Sequence, residues 1–227
     1  GLLTKSVETD REDRLDAVIT SQSDAKAGIY AFRVTQMARP QMNELKDNGS
    51  SFTALNQSLS GSNFTITIKV PKNAASGTDV VVTDRTPQGI IDAVNSISST
   101  TGVNARAFNP EVSGTTFNIL LEGSNGADKS FHFSSTLSGA DALTGGTWGN
   151  RVRSAQDLIV QMNNRADIKR PTNSPSDLIP GVQTTFKRYG PTTDINVVIS
   201  EETKTLETKL NSMVDAYNQF ITVSNYL

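Results

Sequence analysis

Gly123-Ser124-Asn125-Gly126-Ala127-Asp128-Lys129-Ser130 is the stretch whose residue types come nearest to a reactive site. A phosphate-binding loop needs a Gly directly before its Lys, so that backbone amides can wrap the phosphates, and a helix opening at its end. Here Asp128 holds that place, and its carboxylate would repel phosphate. Ser130 to Ser134 reads as strand, so the segment is expected to be a hairpin turn. His132 is the single histidine. It alternates with Phe131 and Phe133 and is expected on the wetter face of a strand. One imidazole without cysteine or a carboxylate cluster makes neither a metal site nor a triad. Glu8 to Arg14 is rich in acids, but a calcium loop wants alternating oxygen ligands and a Gly at the bend. No Gly is present and Arg11 and Arg14 offset the charge, so a solvated turn is expected. Asn48, Asn56 and Asn63 open Asn-x-Ser/Thr sequons, which matter only where the source glycosylates. No pair of carboxylates has neighbours that would push their acidities apart. No catalytic, cofactor-binding or metal-binding residue is assigned, no cofactor is expected, and the chain is not expected to be an enzyme.

Composition agrees with a structural role. Hydrophobic residues make up 36% of the 227 and aromatics 6%, while Ser, Thr, Asn and Gly are plentiful. That balance suits β structure with polar faces rather than one deep core. The formal net charge is -2 and the basic residues form no stripe, which gives no reason to expect nucleic acid. No apolar run approaches the roughly 18 residues of a membrane span. Cysteine is absent, which excludes disulfides and thiolate chemistry. An extracellular home would then require stabilisation by assembly. Residue 1 is Gly and no signal peptide is visible, so an internal fragment of a longer protein is expected.

The elements that would hold these residues are mostly strands. Leu3 to Glu8, Leu15 to Thr20 and Ile29 to Met37 read as strands, the last with Tyr30, Phe32 and Val34 on one face. Asn48-Gly49-Ser50-Ser51 marks a boundary. Beyond it Phe64, Ile66, Ile68 and Val70 alternate with polar residues, and Val80 to Thr83 follows as a second strand. Thr86 caps a helix with Pro87 at its first position, Ile90, Val94 and Ile97 line one face, and Gly102 ends it. Val103 to Phe108, Thr116 to Glu122 and the Phe131–Phe133 run complete a β-β-α-β-β-β unit. Gly139 to Asn150, with Trp148 inside it, reads as the return linker. Strands at Leu158 to Met162, Gly181 to Lys187 and Ile195 to Ile199 follow. The expected fold is α+β and β-rich, with two small β-dominated domains, one inserted into the other. The boundaries expected are 1–47 with 151–200 for the discontinuous domain and 48–150 for the insertion.

Residues 201–227 read as the start of a helical leg. Leu206, Leu210, Met213, Tyr217 and Phe220 recur at spacings of 4, 3, 4 and 3, and Val214 and Ile221 widen the stripe. This is the seam of a coiled coil, narrower than the face of an ordinary core helix. Ser200 is the expected N-cap, with Glu201 and Glu202 in the first turn at the positive end of the helix dipole. No Gly or Pro stops the helix, so it is expected to continue toward a partner helix. The other expectation is a terminal helix lying on its own domain.

Three collinear stretches resemble one family. Asp24-Ala25-Lys26-Ala27-Gly28-Ile29-Tyr30-Ala31-Phe32-Arg33-Val34-Thr35-Gln36-Met37-Ala38 is similar to the AxxGxYxxxVxQLA signature of the flagellar hook-associated protein 2 family, the flagellar filament cap proteins. Thr172-Asn173, Asp177-Leu178-Ile179-Pro180-Gly181-Val182 and Met213-Val214-Asp215-Ala216-Tyr217-Asn218 resemble its later signature. Ile91-Asp92-Ala93-Val94-Asn95 with Gly102-Val103-Asn104-Ala105 resembles a motif shared by flagellins and hook-associated proteins. Thr185, Phe186 and Gly139 to Asn150 depart from the family pattern. The resemblance implies a homo-oligomeric ring at the flagellum tip, exported by the flagellar type III system, that holds flagellin while it folds and polymerises and prevents its leakage. It also implies possible partners in host mucin or glycans. Under it, Leu206, Leu210, Met213, Val214, Tyr217 and Phe220 are the leg-helix packing residues, and the isolated chain is expected to be monomeric or weakly associated. A hook-filament junction protein and a glycan-binding adhesin, with Trp148, Tyr189 and Tyr226 as platforms, are the competing readings.

Overall fold

The structure, a computed structural model, describes residues 4–110, 114–137, 143–144 and 151–224. The chain begins with β1 (Thr4–Thr9), β2 (Leu15–Ile19), β3 (Gly28–Gln36) and β4 (Pro40–Asp47). Then come β5 (Phe64–Lys69), β6 (Thr78–Val82), helices α1 (Pro87–Ser96) and α2 (Ser98–Thr101), β7 (Asn104–Phe108), β8 (Asn118–Asn125) and β9 (His132–Ser135). The remainder holds β10 (Leu143–Thr144), β11 (Arg151–Arg153), β12 (Leu158–Met162), β13 (Ile168–Arg170), β14 (Val182–Phe186), β15 (Gly190–Glu202) and α3 (Thr203–Ser224). This is the expected β-rich α+β chain, and the middle keeps the β-β-α-β-β-β order.

Two compact units divide the chain: Gly1–Gln36, Ile159–Ile168 and Asn173–Leu227 form the first, and Met37–Leu158 with Lys169–Thr172 the second. The expected boundary at residue 47 therefore shifts. Pro40 to Asp47, read from sequence as part of the first domain, is a strand of the second unit. It pairs antiparallel with β8, from Pro40 opposite Asn125 to Leu45 opposite Ile119, and Leu45 is buried in that unit's core.

In the first unit β1, β15, β3 and β12 lie in that order in one sheet, accompanied by the ribbon β14-β2. Period-two alternation puts Phe32 and Val34 of β3, Ile195, Val197 and Ile199 of β15, and Val182 and Phe186 of β14 in the core. Phe32 and Phe186 meet edge to face with centroids 5.5 Å apart, the geometry the ring quadrupoles favour. Two family-like stretches touch here. Gly181 has φ +72, and a Cβ on it would stand 2.6 Å from the Ser21 carbonyl oxygen and 2.7 Å from the Ala25 nitrogen. Its own carbonyl accepts from Thr20 N at 2.9 Å and Ser21 N at 3.1 Å. Gly is required there on both counts.

The second unit has sheets of order β6-β5-β9 and β10-β4-β8-β7, with β11 added to β4. Phe64, Ile66, Ile68, Ile119, Leu121, Phe131 and Phe133 fill one core with Ile90 and Val94 of α1. The Thr86 hydroxyl accepts from Gly89 N at 3.1 Å, as the cap expectation requires, and Gly102 closes α2 in the left-handed region.

Side-chain amides stand in for missing strands at three sheet edges. Gln22 accepts from Lys5 N at 2.7 Å and donates to Lys5 O at 3.1 Å on the outer edge of β1. Asn95 accepts from Ala105 N at 2.8 Å and donates to Ala105 O at 3.0 Å on β7. Gln41, itself buried, does the same for Phe131 just before β9, at 3.1 and 2.8 Å. Each amide satisfies two backbone groups that an edge would otherwise leave to solvent or to another chain.

Candidate assembly surface

β15 is thirteen residues long and runs without a loop into α3. The expected N-cap is corrected by this continuity. β1 pairs with β15 from Thr9 opposite Val197 to Thr4 opposite Glu202, so the backbone of Ser200, Glu201 and Glu202 belongs to the sheet. The helix starts at Thr203, and no acidic residue lies in its first turn. A ladder of backbone hydrogen bonds outcompetes a single side-chain cap.

From there α3 extends for 22 residues, about 33 Å at 1.5 Å per residue. Every described side chain of α3, from Glu207 to Thr222, is exposed. Met213 is 72% exposed, Phe220 68% and Tyr217 64%, and Leu210, Val214 and Ile221 lie open with them. The side chain of Leu206 lies outside the described residues. The other five seam residues thus share one helical stripe as their spacing predicts, and the alternative of a helix folded onto its own domain is not observed. On the opposite face Ser212 Oγ donates to Thr208 O at 2.9 Å and Thr222 Oγ1 to Asn218 O at 2.8 Å, so these hydroxyls serve the helix itself.

A stripe of this kind is energetically unfinished. Burying a side chain of Leu, Met or Phe size yields about 1.5–3 kcal/mol, so covering five such residues would yield on the order of 10 kcal/mol before ordering costs. Contiguous apolar surface on this scale marks an interaction site.

The positions with chemical potential are occupied by structural duties. β8 and β9 pair in different sheets, so Gly123–Ser130 crosses between sheets and is not the expected hairpin turn. Its centre, Ala127–Lys129, is a 3-10 turn, and Ala127 N donates to Asp157 Oδ1 at 2.7 Å, so a carboxylate holds the amide a phosphate would need. His132 sits half-buried on β9 opposite Lys69. The Glu8–Arg14 turn latches strands together. Asp10 accepts from Asn196 N at 2.9 Å and Asn196 Nδ2 at 2.7 Å, and Lys187 Nζ reaches Asp16 Oδ1 at 2.7 Å and Glu12 O at 2.9 Å. Asn48, Asn56 and Asn63 are all exposed. Trp148 and Tyr226 lie outside the described residues, and Tyr189 is exposed. Among the described residues no three His, Cys, Asp or Glu side chains gather to hold a metal, and no helix is long and apolar enough to cross a membrane. Sequence reasoning missed the amide staples, whose partners are 10 to 90 residues away and leave no local signal.

Comparison with known proteins supplies a context for the stripe. Residues 155–227 match the family described as flagellar hook-associated protein 2 C-terminus, a span that contains β14, β15 and α3. The stretches at 24–38 and 86–105 fall outside that match. No curated protein sequence matches the chain. Among solved structures, the D1-D2-D3 domains of the flagellar cap protein from Escherichia coli share the fold at TM-score 0.74 and 21% identity, over 100% of this chain and 75% of that one. The D2-D3 domains from the same organism align at TM-score 0.72 and 19% identity, over 88% of this chain and 100% of that one. The protein from Pseudomonas aeruginosa PAO1 aligns at TM-score 0.68 and 19% identity, over 93% and 95%.

Proposed function

We propose that this chain, whose last third carries the flagellar hook-associated protein 2 signature, is the head and leg-base region of a flagellar filament cap. The two β-rich units would form the plate at the filament tip, and α3 would begin the leg that anchors it. The carrying observation is the uncovered Leu210–Phe220 stripe on a helix that grows directly from β15, an interior strand of its sheet. Register favours the same reading. β1 is antiparallel to β15 and Thr4 lies opposite Glu202, so a segment preceding β1 would arrive beside the origin of α3 and antiparallel to it. A helix there could cover the seam formed by Leu206, Leu210, Met213, Val214, Tyr217 and Phe220.

On this reading the protein does mechanical work by position and performs no reaction. Rigid heads, each with its own filled core, keep their shape while exported flagellin folds and adds beneath them. Copies would meet around the ring through polar surfaces, as in most non-obligate interfaces.

The test is complementation of a bacterium lacking its cap gene. A full-length version with Leu210, Met213, Tyr217 and Phe220 replaced by Ser should leave cells non-motile, with unpolymerised flagellin in the medium. Normal filaments from that variant, with the protein secreted at normal levels, would overturn the proposal.

A further inference from the structure

Sulfur chemistry in this chain converges on one side chain. There is no cysteine, so no thiol is present to take up an oxidant first, and there are four methionines. Met37, Met42 and Met162 are half-buried, whereas Met213 is 72% exposed. Met213 also stands in the middle of the α3 stripe. The spacings of 4 and 3 put Leu206, Met213 and Phe220 at the d positions of a heptad and Leu210 and Tyr217 at the a positions. A d side chain enters a hole formed by four residues of the facing helix, and leucine is the residue that suits it. A thioether fills much the same space, but unlike leucine it can be oxidised.

We propose that Met213 is a redox-sensitive modification site, at which an oxidant of the peroxide class converts the thioether to the sulfoxide and so keeps the α3 stripe from being covered. The inference rests on the reading of that stripe as a packing seam. In the step a sulfur lone pair attacks one peroxide oxygen and the O–O bond breaks. An S=O bond forms, and the other oxygen leaves with both hydrogens as water. Sulfur is oxidised by two electrons and the peroxide is reduced by two. The product is polar and carries an oxygen that wants a hydrogen-bond donor, which a hole lined by apolar side chains does not offer. Two thiols of a reductase reverse the step, giving the thioether, a disulfide and water, so the mark can be removed. A covered stripe puts the sulfur out of reach. Oxidation therefore acts on the chain before its leg packs.

The first measurement is made on this chain. Dilute hydrogen peroxide, followed by mass spectrometry, should oxidise Met213 at least about tenfold faster than Met37, Met42 or Met162, because access to the sulfur sets the rate. The second is made on full-length protein that is oxidised in denaturant, freed of peroxide and refolded. Hydrogen exchange is then read on the amides of residues 207–222, which the untreated protein should protect. A variant with Met37→Leu, Met42→Leu and Met162→Leu keeps Met213 as the last methionine among these 227 residues, and the three changes conserve volume. On oxidation its α3 amides should exchange at least about tenfold faster, and treatment with methionine sulfoxide reductases should restore their protection. Met213→Leu taken through the same treatment should match its own untreated sample. Exchange in β3 and β5 should stay the same throughout, which separates a loss at the seam from misfolded β units. Equal oxidation rates at the four methionines, or α3 protection that is the same before and after oxidation, would overturn the proposal. Untreated full-length protein with no protection in α3 would instead sink the seam reading, and this inference with it.

Discussion

β15 and α3 are one uninterrupted segment with opposite fates. In β15 the inward residues Ile195, Val197 and Ile199 are almost fully buried, flanked by β1 and β3. A few residues later Leu210, Met213, Tyr217 and Phe220, no less apolar, stand in solvent. The strand finds its partners within the described chain and the helix does not. Each β unit closes its own core and staples some of its edges, whereas α3 is folded to be completed by something else. Isolated helices are marginal in water, and most helical stability comes from packing of the apolar face.

The sharpest way to break that contrast is inside the core. Phe32→Ala removes a fully buried ring and its edge-to-face partner in Phe186, and should cost the first unit about 3–5 kcal/mol in denaturant unfolding. Gly181→Ala should cost about 2 kcal/mol or more, because the left-handed backbone and the Ser21 carbonyl both resist a Cβ. Gln41→Ala leaves the Phe131 N–H and C=O without their buried partner, for a loss of about 2 kcal/mol in the second unit. Asn164→Gly acts in the other direction. Asn163 and Asn164 both have positive φ in the turn between Met162 and Arg165, and a glycine at the second position should stabilise by about 0.5 kcal/mol. Smallest of all, Tyr217→Ser on α3 should move the unfolding of either unit by no more than about 0.5 kcal/mol. A larger loss there would mean that the helix face is already covered, and the contrast would fail.

Much of this fold was legible in the residues. Alternation located β3, β5, β8 and β15, and Thr86, Pro87 and Gly102 framed the helical stretch, because burial on one face writes itself into sequence as period two or 3.6. β4 was not legible for the converse reason. Its inward positions are Gln41, Asn43 and Leu45, so burial alternates while hydrophobicity does not. Buried amides are tolerated only where partners exist, and Gln41 finds one at Phe131, ninety residues on. Ser200 misled because a capping residue looks the same whether a helix or a neighbouring strand claims its backbone. The helix of α3 was legible, since its spacing is local.

Sequence by itself determined the character of each segment: strands with one apolar face and a helix with a narrow seam. Those properties follow from the order of residue types along a few turns or pleats. Tertiary structure decided which unit owns β4, where the sheet hands over to the helix, and which edges are stapled. Such outcomes depend on backbone groups far apart in the chain competing for the same hydrogen bonds, and no local pattern records the winner.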